Sequence, residues 1–474
     1  MPRAALVRAA SPLAALAVLV GGLAPAAGDG VPRPVHGSRG IGDGYFPEDG
    51  NGGIDVQSYA IHDAYRFRDG RLSGHTVVRI TPLATLSSFD LDFLLPVSSV
   101  RLSNGPASYS RPDRHELRIH PARPLVAGRT FTATVTYAGH PDRVGWRGER
   151  DWLADDHEVV AMNQPHMAAW WFPANDHPRD KATVDLHVRV PHGNRVIGNG
   201  HLLGVRRGAT HATYHWGGGG PMTTYLAFFA AGRFDVAHGV SHGLPWYAAV
   251  SAQVPQPERR AAMRRLKASP GIVRWLSHRL GPYPFGDTGG LVTSLGPGFA
   301  LENQTRPTYP VLGPSGKILE VHELAHQWFG DSVSLHGWRG IWLNEGAATF
   351  MEKLWTEKHG GEPASAWLEN TYHQTPSDDP LWHLVVANPG PAHLFDYPVY
   401  DRGGLALQAL RQRLGDHVFG QVLRTWLRER RGSTGTTGQF RRVAERVSGA
   451  HLRGFFHSWL RSPTKPAETA ANGL

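Results

Sequence analysis

The sequence predicts an α+β chain of more than one domain: an N-terminal antiparallel β domain followed by a mainly helical one. Three observations carry that expectation. The chain has 474 residues, and a single domain usually holds about 100–200. Across residues 54–234 several segments place apolar residues at every second position, whereas from Arg259 onward they recur at helical spacing. The change of period falls near residue 238, after the glycine run 217–220.

In the β half, Phe131, Ala133, Val135 and Tyr137 alternate with Thr132, Thr134 and Thr136. Such alternation puts one face on a core and the other toward water. Segments 75–81, 89–95 and 183–190 are similar, with Gly, Pro and Asp between strands. Residues 28–53 are rich in Gly, Asp and Pro and read as a mobile lead-in. In the second half, helical spacing covers 259–280, 318–329, 343–359, 405–414 and 418–430, with two more helices in 440–460. Leu343, Ala347, Phe350 and Leu354 share one helix face. Residues 463–474 are polar and read as a loose tail. The expected domains are therefore 54–238 and 239–462.

The composition, 41% hydrophobic and 19% charged, excludes a fibrous or wholly disordered chain. The net charge of +9 comes mostly from scattered arginines, and the densest group, residues 428–431, includes Glu429. No run of the length that grips a nucleic acid is present, so no nucleic-acid partner is expected. The absence of cysteine excludes disulfides, thiolate metal ligands and a cysteine nucleophile together. Arg3 and Arg8, the apolar run 13–23 and the close Ala24-Pro25-Ala26-Ala27 describe an export signal over residues 1–27, cut after Ala26 or Ala27. A secreted protein is the expectation, with an uncleaved anchor as the alternative. No other stretch reaches the roughly 18 apolar residues of a membrane span, so no membrane insertion is expected after cleavage.

The chemistry centres on His322-Glu323-Leu324-Ala325-His326, in a run free of Pro and Gly until Gly330. On a helix, residues i and i+4 lie one turn apart on one face, so both imidazoles reach one metal. Glu323 lies about 100° round the helix from His322, where it flanks the metal as a general base without binding it. A catalytic zinc needs a third protein ligand. Glu345, in Trp342-Leu343-Asn344-Glu345, follows His326 after eighteen intervening residues. Alone, the five-residue pattern also fits a helix surface, and Glu345 a solvated acid. The combination points to one zinc per chain, held by His322, His326 and Glu345.

This constellation resembles the M1 family of metallopeptidases, the relatives of aminopeptidase N and leukotriene A4 hydrolase. The resemblance implies a saddle-like β domain ahead of a thermolysin-like catalytic domain. It further implies peptide substrates with a free N-terminus. The family's Gly-x-Met-Glu-Asn motif corresponds to Phe299-Ala300-Leu301-Glu302-Asn303. Ala300, Glu302 and Asn303 match, while Phe299 and Leu301 depart. The resemblance makes Glu302 the carboxylate that binds the substrate's α-amine, and an unpaired buried carboxylate suits that discrimination. Tyr400-Asp401-Arg402-Gly403 matches the family's tyrosine motif, which makes Tyr400 the donor to the oxyanion. Gln164, before Pro165, matches a residue that also holds the amine. The chain stops soon after Pro466 and resembles the short forms without a large C-terminal helical domain. Three rivals stand beside an aminopeptidase: a thermolysin-like endopeptidase, an epoxide hydrolase side activity found in one branch of the family, and a non-catalytic scaffold. Glu302-Asn303 speaks against the first, nothing in the sequence selects for the second, and the intact ligand set with Glu323 speaks against the third.

Overall fold

The computed structural model describes residues 33–313 and 316–474, so the export signal expected at 1–27 lies outside the described residues. The alternating segments form a seven-stranded sheet. Its order is His201–Arg207, His211–Gly217, Thr183–Pro191, Ile54–Arg66, Arg71–Pro82, Phe131–Gly139 and Val97–Leu102. Every neighbouring pair is antiparallel except Thr183–Pro191 on Ile54–Arg66, which is parallel. Phe131, Ala133, Val135 and Tyr137 are buried, and the threonines between them are partly exposed. Period two therefore selected the face correctly.

Two further four-stranded sheets, one ending in Val35–His36 and the other built around Phe229–Gly232, complete the β half. The next sheet, Phe234–Ser241, Leu244–Ser251, Thr288–Val292 and Thr308–Tyr309, opens the second half. Phe234–Ser241 pairs along its whole length with Leu244–Ser251. A boundary at residue 238 would cut that strand and orphan its ladder groups, so the change of sheet is corrected to Arg233.

Ten helices follow among the described residues: α1 (Glu258–Leu266), α2 (Ser269–Leu280), α3 (Gly316–His326), α4 (Trp342–Lys358), α5 (Ala364–Gln374), α6 (Pro380–His383), α7 (Tyr397–Leu414), α8 (Asp416–Arg430), α9 (Thr437–Ser448) and α10 (Arg453–Leu460). The stretch expected over 259–280 is two helices. Helix α7 begins eight residues before 405 because Pro398 sits in its first turn, where a missing N–H leaves no bond unmade. Helix α5 was not expected, although Ala364, Trp367, Leu368 and Tyr372 have helical spacing and are buried. Among the described residues no helix is long and apolar enough to cross a membrane.

Two segments expected to be loose are packed. Within the lead-in, Val35–His36 pairs with Leu86–Asp92. Asp43 Oδ2 accepts from Trp338 N at 3.1 Å, and Asp49 Oδ2 lies 2.7 Å from His166 Nε2. Its acids thus fill buried polar positions that Gly-rich composition does not announce. At the other end, the buried guanidinium of Arg402 donates to the carbonyls of Ser462 (2.8 Å) and Thr464 (3.0 Å). Trp459 Nε1 donates to Asn472 O at 2.9 Å. These bonds hold the 463–474 segment against α7 and α10. One hydrophobic cluster runs from Phe46 to Leu460 and spans both halves, so the two share a core where they meet.

Candidate active site

Helix α3 carries His322, Glu323 and His326, all buried. The two imidazoles project one turn apart, and the Nε2 of each lies 3.4 Å from the same oxygen, Glu345 Oε2. Glu345 enters from the first turn of α4. Each ring's other nitrogen is engaged. His322 Nδ1 is 2.6 Å from Glu352 Oε1, and His326 Nδ1 is 3.0 Å from the carbonyl of Phe329. With Nδ1–H donating to these acceptors, the Nε2 lone pairs face Glu345, which is the ligating tautomer.

The electrostatics ask for positive charge at that point. Burial opposes protonation of His322 and His326, yet the carboxylates of Glu345 and Glu352 hold His322 well above the usual imidazole range, and Glu345 and Glu302 hold His326 above it. Burial likewise opposes ionisation of Glu345, but the two imidazoles bring it down to about 2. Two nitrogens and one carboxylate converging within 4.8 Å are a donor set that suits zinc. Glu323 stands beside this set, not within it. Burial first, with Glu302 and Glu345 nearby, pushes its carboxyl up to about 8, against the influence of the histidines. One of its carboxylate oxygens, one of Glu302's and a ring nitrogen of His326 lie within 4.8 Å of one another.

Helix α4 is held on α7 by a backbone contact at Gly346 and Gly403. A Cβ on Gly346 would fall 2.7 Å from the Gly403 carbonyl carbon, so only glycine permits the approach. Leu343, Ala347 and Phe350 are buried beside it, as their shared face predicts, and Glu345 turns off that face to the histidines. The same approach brings Tyr400, in the first turns of α7, to the site. Its ring lies 6.0 Å from that of His322. Burial, then Glu345, raises the phenol well above its usual range, so the hydroxyl keeps its proton. Tyr397 is elsewhere, half exposed and donating to Asp379 Oδ1 at 2.5 Å.

The β half supplies the rest. Glu302 Oε1 accepts from Gln164 Nε2 at 3.3 Å and from Tyr225 Oη at 3.1 Å. Lys181 Nζ donates to the carbonyls of Asp331 (2.6 Å) and Ser332 (3.1 Å), tying the strand region to the loop after α3. A cavity of about 530 Å³ is lined by Gln164, Ala300, Glu302, both histidines, Glu323, Glu345 and Tyr400. Phe299, Phe395, Leu319 and Pro310 give it an apolar flank.

Asn303 is fully buried, donates to Leu226 O at 3.3 Å and is not among the residues that line the cavity. Glu302 faces the cavity, and its neighbour points the other way. Sequence reasoning missed Glu352, Tyr225 and the Phe329 carbonyl. Glu352 was detectable, since it follows Glu345 by seven residues, two helical turns on one face. The Phe329 carbonyl carries no side-chain signal at all.

The pattern of the Peptidase family M1 domain matches residues 317–459. Aminopeptidase M1-C of Oryza sativa subsp. japonica is 24% identical over 323 residues, 62% of this chain and 36% of its own length. Aminopeptidase N of Lactococcus lactis subsp. cremoris is 27% identical over 337 residues, 65% of this chain and 38% of its own. The chain thus spans well under half the length of these curated relatives. Among solved structures, an M1 zinc metallopeptidase mutant from Deinococcus radiodurans bound to a Tyr-Ser-Ala substrate is 28% identical. It superposes with a TM-score of 0.80 over 91% of this chain and 100% of that one. A two-domain M1 zinc metallopeptidase mutant bound to L-arginine is 27% identical, with a TM-score of 0.81 over 90% of this chain and 99% of that one.

Proposed function

We infer that this chain, a member of the M1 family in its two-domain architecture, is a zinc aminopeptidase that hydrolyses the first peptide bond of substrates with a free N-terminus. The convergence of His322 Nε2 and His326 Nε2 on Glu345 Oε2, both at 3.4 Å, carries this reading. One zinc ion would be held by these three residues. When bound, such an ion polarises a carbonyl and makes water nucleophilic near neutral pH.

The chain's own groups do the remaining work. The Glu323 carboxylate accepts the proton of the attacking water and returns it to the leaving nitrogen. Tyr400 Oη donates to the carbonyl oxygen as that oxygen gains charge. Glu302, oriented by Tyr225 and Gln164, receives the α-ammonium. A buried carboxylate left unpaired is costly, so a substrate with a blocked amine binds poorly. The apolar flank at Phe299 and Phe395 accommodates the first side chain. The tripeptide bound in the Deinococcus relative supports a peptide as substrate. Arg3, Arg8 and the apolar run 13–23 support secretion after signal removal.

The test is zinc analysis of the purified mature chain, followed by assay of two peptides that differ only in N-terminal acetylation. Cleavage of the free peptide alone is expected. Equal cleavage of both would make the chain an endopeptidase, and zinc binding without cleavage across a peptide library would favour a scaffold.

A further inference from the structure

The outer face of the seven-stranded sheet carries a row of four histidines. Strands Arg71–Pro82, Ile54–Arg66, Thr183–Pro191 and His211–Gly217 are successive neighbours, and His75, His62, His187 and His215 are register partners across them. Their rings stack with centroids 4.7, 4.4 and 3.9 Å apart and planes within 18° of parallel. Asp185 precedes His187 by two residues and so shares its face. Asp185 Oδ1 lies 2.9 Å from His187 Nε2, and Oδ2 lies 2.8 Å from His215 Nε2.

We propose that Asp185, His187 and His215 form a second divalent metal site, selective for a borderline transition ion such as Zn²⁺ or Cu²⁺. Their three ligand atoms lie within 4.8 Å of one another. The donor set, two imidazole nitrogens and one carboxylate, is that of the active-site cavity, yet none of the three residues lines that cavity. Imidazole favours zinc and copper, whereas calcium and magnesium prefer all-oxygen shells. The side chains are 27%, 32% and 46% exposed for His187, His215 and Asp185, so an ion enters from solvent and keeps water on its open positions.

Without an ion, Asp185 accepts from both Nε2–H groups. With one bound, each ring's single proton moves from Nε2 to Nδ1, so the exchange needs no net proton uptake. Imidazoles bind metals through lone pairs in the ring plane, so the His187 and His215 rings, now 18° from parallel, turn out of their stack when the ion binds. The ion would bridge Thr183–Pro191 to His211–Gly217, clamping two strands of the β half.

The experiment uses the full mature chain. Zn²⁺ bound after gel filtration is counted for the wild type and for the double variant His187→Asn/His215→Asn, and Cu²⁺ is added separately for spin resonance. The wild type is expected to hold one more zinc equivalent than the variant. It should also show imidazole nitrogen coupling to Cu²⁺ that the variant lacks, and a zinc-dependent rise in Tm that the variant loses. Asp185→Asn alone should weaken the extra equivalent by more than about tenfold, the loss that removing even an outer partner of a ligand causes. Peptidase kcat/KM should be unchanged in each variant, which also checks folding. Equal zinc counts in wild type and double variant would overturn the proposal. The comparison reads a difference of one equivalent whether or not the active-site cavity is filled, so this site and the aminopeptidase reading fail separately.

Discussion

Glu352 and Glu345 grip one imidazole from opposite sides: Glu352 Oε1 is 2.6 Å from Nδ1 of His322, and Glu345 Oε2 is 3.4 Å from its Nε2. Both acids stand on α4, two turns apart. One helix therefore supplies one proposed ligand and also fixes the ring of another. Glu352→Gln keeps an acceptor but removes its charge. Zinc affinity is expected to fall by about 10–100-fold, read by competition with a chromophoric chelator, while kcat of the zinc-saturated enzyme changes less.

Glu323→Gln removes the proposed proton carrier and leaves the proposed ligand set intact. A loss of kcat of about 10²–10⁴-fold is expected, with KM and bound zinc close to wild type. Loss of zinc in this variant would instead make Glu323 part of the metal site.

For Glu302→Gln the free-amine preference should collapse. Truncating one side of a buried charged pair costs about 2–5 kcal/mol, so kcat/KM for a free peptide should drop by about two orders of magnitude. The acetylated peptide should be nearly unaffected. An equal drop for both would remove Glu302 from amine recognition.

Tyr400→Phe deletes one donor to developing charge. Steady-state kinetics should show kcat lower by about 10²–10³-fold, the range for loss of one oxyanion donor, with little change in KM. Tyr397→Phe is the matched control, since its hydroxyl donates to Asp379 outside the cavity.

Gly346→Ala tests the contact between α4 and α7. The added methyl meets the Gly403 backbone at 2.7 Å, and overpacking of this kind costs about 1–3 kcal/mol. A lower Tm with reduced kcat is expected, because Glu345 and Tyr400 sit on the two helices being pushed apart. A fall in Tm alone would mean that the helices yield elsewhere.

Much of the site was legible in the chain. His322, Glu323 and His326 are local, since helical periodicity alone places them. Alternation likewise assigned Phe131 through Tyr137 to the correct faces. Glu345 came from its spacing after His326, and Glu302, Tyr400 and Gln164 from motif resemblance; their distances to one another lay beyond any spacing rule. Asn303 matches the motif but lies off the cavity wall, bonded to the Leu226 carbonyl, a placement that the motif does not announce. The lead-in and the 463–474 segment were misread as loose because composition records local preference, whereas Asp43, Asp49 and the carbonyls around Arg402 are ordered by distant partners.

The sequence by itself determined the two histidines one helical turn apart, the glutamate between them, the amphipathic faces and the order of β and helical halves. These depend on residues one turn or one pleat apart, a scale that periodicity sets. Only the tertiary structure decided that Glu352 orients His322, that Tyr225 caps Glu302, that Gly346 meets Gly403, and that four histidines from four strands stand in one row. Those relationships join residues far apart in the chain, and packing and register, not local propensity, bring such residues together.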